Sequence, residues 1–465
     1  MDFSSANATL WNPVIQIGII AVVLIIANVL RRKVAWIRNS LMPTAVLGGF
    51  ILLVLTSMDR IPVTRGFMEA VTYHALAIGF IAMGLRTEEK VEGEAAMIGS
   101  RSGALIVSTY LVQALNGLII SLLLAYTVMP DFFKASGILL PMAYGQGPGQ
   151  ANNVGSTYEA LGMVGGRSFG LSLAATGYLC ACIVGVIYLN VLNRRGKLRR
   201  IKDKDMISGS VTIDTFQDAN EIPITESVDK LSVQMALVVI LYFVSYLAIC
   251  GITALLQKVS PGLASTVSTL LWGFNFIIGS VMAMACKALF QGLRKIKWMH
   301  RQYQNNYLLS RISGLAFDLM IVCGIASIDI QDLSGYWLPF LLMAVTGGIS
   351  TFCYLKWACK KLYPGYFYEG FLSMYGMLTG TISSGVLLLR EIDPDMETPA
   401  SNNLVTGSSF GIIFGAPMLL LISFAAQGDA AVWAAVGLII VYLALLLLFM
   451  LKVGNKKKLK ANKNK

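Results

Sequence analysis

Histidine is almost missing from this chain: His74 and His300 are the only two in 465 residues. Neither stands at ligand spacing from another histidine or from a cysteine pair, which leaves a zinc-type centre without a ligand set. The seven cysteines (Cys180, Cys182, Cys250, Cys286, Cys323, Cys353 and Cys359) include no CxxC pair. Each lies in or beside an apolar run, where a thiol behaves as a small hydrophobe. Charge is scarce as well. Only 13% of residues are Asp, Glu, Lys or Arg, about half the ~25% of a soluble domain. Acidic residues are the rarer kind, 25 against 37 basic, for a net charge of +12. No aromatic-basic segment accompanies that excess, so nucleic acid is not the expected partner. An intramembrane enzyme would need paired aspartates, a Ser–His pair or a His–Glu zinc cluster. The chain offers one deep aspartate and no suitably placed histidine, so it reads as a non-enzyme.

What the chain has in quantity is apolar residue, 56% of the total, with a mean hydropathy of +0.67. This is the profile of an all-α polytopic membrane protein. A span needs about 20 mostly apolar residues. Eleven stretches meet that need: 12–30, 40–57, 67–85, 102–128, 166–193, 231–256, 264–290, 309–328, 335–357, 402–426 and 430–451. The first follows "MDFSSANATLWNP", which has no basic n-region, and "RRK" comes after it. It therefore reads as a spanning helix that starts outside the cytoplasm, not as a cleaved signal. Two further stretches, 136–160 and 370–391, have membrane length but are broken by Gly, Pro, Ser, Thr and Asn.

Basic residues orient the chain. If the N-terminus lies outside and both broken stretches enter and leave on one face, the C-terminus is cytoplasmic. Of the 37 basic residues, only Arg60, Arg65, Lys134, Arg167 and Lys258 then fall towards the outer face. If either stretch spanned fully, every later loop would flip and the asymmetry would be lost. Both stretches are therefore expected to be re-entrant hairpins. Residues 195–230 form a polar cytoplasmic linker, too poor in apolar residues for a domain.

The linker separates two weakly similar halves, 1–194 and 231–426. "AYGQGPGQANN" in the first meets "MYGMLTGTISS" in the second. Both contain Y-G-x-x-x-G, at Tyr144, Gly145, Gly149 and at Tyr375, Gly376, Gly380. The tripeptide Ser-Phe-Gly recurs at Ser168–Gly170 and Ser409–Gly411. Each half reads as four spans, a broken hairpin and one span, and the halves start on opposite faces. This is the pattern of an inverted-topology repeat, with 427–465 an extra span and basic tail.

Irregular backbone at membrane depth survives only when buried in protein or facing a water-filled cavity. Secondary transporters place such segments at a midplane site. The first loop offers Gly145, Gln146, Gly147, Gly149, Gln150, Asn152 and Asn153 as substrate-binding candidates. Its glycines admit a close ligand, and its amides both donate and accept. A packing seam would not need four amide side chains. The second loop adds Thr379, Gly380 and Thr381, with Ser383 and Ser384 as oxygen donors for Na+. Some of these hydroxyls are open to the alternative of bonding back to their own helix. Asp318 is an intramembrane carboxylate in the eighth span, either a contributor to a Na+ site or one half of a structural ion pair. Asn402 and Asn403 either close the site or cap the tenth span. Arg390 either grips a carboxylate or anchors the inner face, and Glu159 sits at the corresponding place in the first hairpin.

At these residues the chain resembles the bacterial sodium/glutamate symporter family. "LPMAYGQGPGQANN" looks like that family's first pore loop, a G-x-G-x-G-x-A segment matched by Gly145, Gly147, Gly149 and Ala151. "MPTAVLGGF", "GFIAMGLRT" and "YGMLTGTISSGVLLLREIDP" are similar to its second span, the end of its third span and its second pore loop. The likeness covers about 12–426. Departures lie in the loops: Gln146 where some members carry His, Pro148 where a small polar residue is common, and Met377-Leu378-Thr379 where some carry His-Cys. The resemblance implies Na+-coupled symport of L-glutamate by alternating access, in a homodimer within the bacterial inner membrane. The loop departures keep another small carboxylate open, such as a 2-hydroxycarboxylate or dicarboxylate, coupled to Na+ or H+.

Overall fold

The computed structural model describes residues 2–86, 94–195, 230–259, 268, 271–273, 275–299, 301–393 and 398–461. These residues form helices and no strand. Among the described residues ten helices are long and apolar enough to cross a membrane, which makes the chain an all-α, multi-pass membrane protein. In chain order they are α1 (Ala8–Lys33), α4 (Arg65–Leu85), α5 (Glu94–Thr127), α8 (Gly166–Arg194), α9 (Lys230–Val259), α10 (Asn275–Lys295), α11 (Asn306–Ala326), α12 (Trp337–Leu362), α15 (Ala400–Ala425) and α16 (Asp429–Ala461). Between them lie the short α2 (Ala35–Asn39) and α3 (Thr44–Ser57). The broken stretches supply α6 (Leu139–Tyr144) and α7 (Pro148–Ala160), then α13 (Phe367–Thr379) and α14 (Ile382–Arg390).

The expected second span, 40–57, is shorter than its apolar run. Leu41 has φ 56° and Pro43 is extended, at φ −58° and ψ 143°. Proline has no N–H to give the preceding turn, so α3 starts only at Thr44 and has 14 residues. Most of residues 264–274, expected to open the seventh span, lie outside the described residues. So do nearly all of the 195–230 linker and the side chain of Ser383.

The helices group into two compact units. One comprises Met1–Met68, Val91–Arg199 and Val322–Lys465, the other Glu69–Lys90 and Arg200–Ile321. The second unit holds most of α4 with α9, α10 and most of α11. Ile81, Ala82 and Leu85 of α4 share a core with Val238 and Leu241 of α9, Ala283 of α10, and Leu309 and Ile312 of α11. Small residues let these helices approach: a Cβ on Gly79 would fall 2.5 Å from the Phe317 ring, and one on Gly279 would fall 2.8 Å from Ile81. Lipid offers no hydrophobic force between helices, so such close contact must hold them.

In the first unit α5 is the central element. Gly117 meets Gly137 of the first broken stretch backbone to backbone, and Gly103 lies under Phe410 of α15. Asn116 donates to Thr346 (3.1 Å) and Ser350 (3.3 Å) of α12. The last helix, α16, also runs along α5: Trp433 stacks on Tyr126, and Arg101 Nε donates to the Met450 carbonyl at 3.1 Å.

Contacts at the two ends of α12 fix where the broken stretches enter. At its N-terminal end Arg65 bonds Asp329, Asp332 and Ser168, each at 2.9 Å, and Ser168 donates to Asp332 at 2.9 Å. The start of α8 is therefore at this end. At its C-terminal end Tyr363 meets Ser102 Oγ at 2.7 Å, and Tyr366 accepts from Asn403 at 2.8 Å. The starts of α5 and α15 are at that end. Since α5 begins at the Tyr363 end, it finishes at the Arg65 end, where α8 begins. The stretch between them leaves and returns at one end. The stretch between α12 and α15 does the same at the other.

Candidate functional site

Both broken stretches fold back on themselves. In the first, Phe133 lies 5.1 Å from Tyr158, centroid to centroid, so the chain reverses at Gly145–Gly147. In the second, a Cβ on Gly385 would fall 2.4 Å from the Ser373 carbonyl, so the chain reverses at Gly380–Thr381. Gly147 has φ +88°, a conformation side chains rarely adopt. Pro148 follows as the first residue of α7, the position where its missing N–H costs nothing.

The two tips meet. A Cβ on Gly147 would lie 3.6 Å from Thr381 Cγ2 and 3.7 Å from the Gly380 carbonyl, with the Tyr178 hydroxyl also at 3.7 Å. Tyr178 and Gly177 come from α8, where Gly177 lets the Thr379 carbonyl within 2.4 Å of a would-be Cβ. Gly147 and Thr381 are the N-caps of α7 and α14, and neither supplies a side-chain capping bond. Two helix N-termini therefore face one junction.

The segments that meet here carry buried polar atoms without a hydrogen-bond partner: Gln150 Oε1, Asn152 Oδ1 and both amide atoms of Asn153 on α7, Thr381 Oγ1 and Ser384 Oγ at the start of α14, the Tyr375 hydroxyl on α13 and Gln113 Oε1 on α5. Gln150 and Asn153 are each 2% exposed. A buried, unsatisfied polar group costs about 1–3 kcal/mol, and here several cluster in the first turns of two facing helices. Gln146 and Thr381 are only half-buried.

The expected site residues separate in this frame. Gln146, Gly147, Gly149, Gln150, Asn152, Asn153, Gly380, Thr381 and Ser384 belong to the tips and the helix turns beside them. Gly145 faces away: its Cβ would fall 2.4 Å from the Tyr110 ring, so it is a packing glycine. The Thr379 hydroxyl bonds back to the Tyr375 carbonyl at 2.7 Å. Asn403 sits at the Tyr363 end on Tyr366, and Asn402 is exposed beside it. Asp318 lies on α11 within the second unit, exposed, while both hairpins belong to the first. Glu159 is bonded to Arg167, at 2.7 Å to Nε and 3.0 Å to the backbone N. Arg390 is exposed at the far end of α14.

Neither a family model nor a curated protein matches the chain.

Three residues were not singled out as ligands in the sequence: Tyr178 beside the Gly147 tip, Tyr375 one turn before the end of α13, and Gln113 of α5. Gln113 Nε2 donates to Thr351 Oγ1 at 2.9 Å and to the Leu378 carbonyl at 2.8 Å, tying the end of α13 to α5 and α12. A lone glutamine in the apolar run "YLVQAL" was the available signal.

Proposed function

We propose that the chain is a secondary active transporter that carries a small carboxylate into the cell together with Na+, with L-glutamate the leading substrate. One observation carries this reading: two hairpins from opposite ends meet at broken backbone, ringed by buried amides and hydroxyls that no protein atom satisfies. Groups of that kind await a polar ligand, and the oxygens among them suit Na+, a hard cation. Opposed hairpins also supply two gates to one site, which is what alternating access requires. The resemblance to the sodium/glutamate symporters adds the coupling ion, the homodimer and the bacterial inner membrane, while the repeated motifs and basic-residue asymmetry support the inverted halves 1–194 and 231–426. The N-terminus is then outside and the C-terminus cytoplasmic. No chemical step is assigned to the site; it moves its ligand unchanged.

The junction's amides and hydroxyls carry no charge that would select an α-ammonium group. This favours, as the second reading, Na+- or H+-coupled transport of a 2-hydroxycarboxylate or dicarboxylate on the same architecture. Uptake of labelled L-glutamate into proteoliposomes, with and without an inward Na+ gradient, tests the first reading. Saturable, Na+-dependent uptake that unlabelled glutamate competes away supports it. Uptake absent for glutamate but present for another carboxylate moves the assignment to the second. No uptake of any carboxylate ends both.

A further inference from the structure

The N-termini of α7 and α14 face each other across the tips, where a Cβ added to Gly147 would lie 3.6 Å from Thr381 Cγ2. Each helix start carries about half a positive elementary charge. Two such poles brought together repel, most strongly where water is excluded. Ordinarily an Asp, Ser or Thr side chain at the N-cap would satisfy the free N–H groups, yet Gly147 has no side chain and Thr381 makes no capping bond. The first helical bonds are Ala151 N to the Gly147 carbonyl and Gly385 N to the Thr381 carbonyl. The N–H groups of Gly149, Gln150, Ile382, Ser383 and Ser384 thus precede the first intrahelical bond. Charged side chains do not relieve the repulsion from within these elements: residues 135–158, 168–193 and 370–389 contain no Asp, Glu, Lys, Arg or His. Arg390, the one guanidinium on α14, is eight residues from its start, about 12 Å along the axis.

We infer that a single carboxylate of the transported solute sits between the two helix starts, held by backbone N–H groups from both hairpins and by no arginine. Two half-charges balance one carboxylate. The unpartnered hydroxyl of Ser384, 3% exposed in the first turn of α14 and 2.9 Å from a would-be Cβ on Gly380, adds a side-chain donor beside them. Because the clamp draws on both hairpins, the bound carboxylate also removes their mutual repulsion, so ligand binding and closure of the tips favour each other. The inference rests on the carboxylate-transport reading above but concerns binding alone.

The test is equilibrium binding of labelled L-glutamate, glutarate and 2-hydroxyglutarate to the full-length protein in nanodiscs containing Na+, independent of uptake. Ile382→Pro removes one N–H of the clamp. Proline is tolerated at this first helical position, and Thr381 before it is already extended, at φ −143° and ψ 172°. Thr381→Asp places a rival carboxylate at the N-cap of α14. Its folding is expected to hold or improve, which covers the case in which the proline variant does not fold. The expected result is about tenfold weaker binding for Ile382→Pro and for Thr381→Asp, with Arg390→Gln close to the wild type. Wild-type affinity in Thr381→Asp, or lost binding in Arg390→Gln, would overturn the inference. So would a wild-type protein that binds none of the three carboxylates, an outcome that also removes the transport reading. Binding that follows the expected pattern without uptake sinks the transport reading alone.

Discussion

Asn153 is buried with both amide atoms unpaired, so it contributes little to folding and is available to a ligand. Replacing it with alanine removes an unsatisfied group without breaking a protein contact. Asn153→Ala is therefore expected to retain or raise the melting temperature in detergent while carboxylate uptake falls about tenfold or more. A matched loss of stability would mean that the amide serves the fold. At this scale the sequence was informative where polar residues interrupt apolar context, as at Gln150, Asn152 and Asn153. It was uninformative about direction. Thr379 and Thr381 are two residues apart in one loop, yet the first hydroxyl closes on its own helix and the second has no partner. Whether a hydroxyl turns to a backbone carbonyl depends on helical geometry one turn back, and α13 ends between the two.

The elements are held by glycine seams whose tolerance can be ranked. A Cβ on Gly117 would fall 2.0 Å from the Gly137 carbonyl oxygen, a backbone atom that cannot swing aside. Gly117→Ala should drive α5 from the first hairpin and lower stability by about 1–3 kcal/mol, read as a clear drop in melting temperature. Gly437, in α16, has nothing within 4 Å of a would-be Cβ. Gly437→Ala should hold or raise the melting temperature, because it lowers the entropy of the unfolded chain. Equal responses from the two would contradict the packing described. The hairpins' place at this scale was legible from composition and basic-residue asymmetry together. The 14-residue length of α3 was not, since its boundary depends on the dihedral angles at Leu41 and Pro43 rather than on the extent of the apolar run.

Across the whole molecule, the cluster of Arg65 with Asp329, Asp332 and Ser168 joins the starts of α4 and α8 to the α11–α12 connection. Arg65 and Asp329 are each 36% exposed, and Asp332 is 29% exposed, so solvent screens the pairs and discounts their strength to about 1 kcal/mol. Arg65→Gln leaves two carboxylates without their cation and should lower the melting temperature modestly. The deficit should shrink in high KCl, where the repulsion is screened. A deficit unchanged by salt would assign the role to packing. Orientation gives a further expectation. On a cysteine-free background, a thiol at Asp2 should react with an impermeant reagent added to intact cells, and one at Lys465 only after permeabilisation. The reverse pattern would overturn the assignment of the N-terminus to the outside.

The sequence by itself determined that this chain lives in a bilayer, about how many times it crosses, and where its helices break. Apolar length, basic asymmetry and the conformational demands of Gly and Pro are local properties, written residue by residue. Only the tertiary structure decided that the two breaks meet, that Gly147 and Thr381 put two helix starts face to face, and that Tyr178 stands beside them. It also decided that Gly145, Asn402 and Asn403 lie elsewhere, against Tyr110 or at the Tyr363 end. The reason is physical: contact between residues more than two hundred positions apart is set by which helices pack together. A small residue or an amide carries the same local signature whether it faces a neighbouring ring or a ligand.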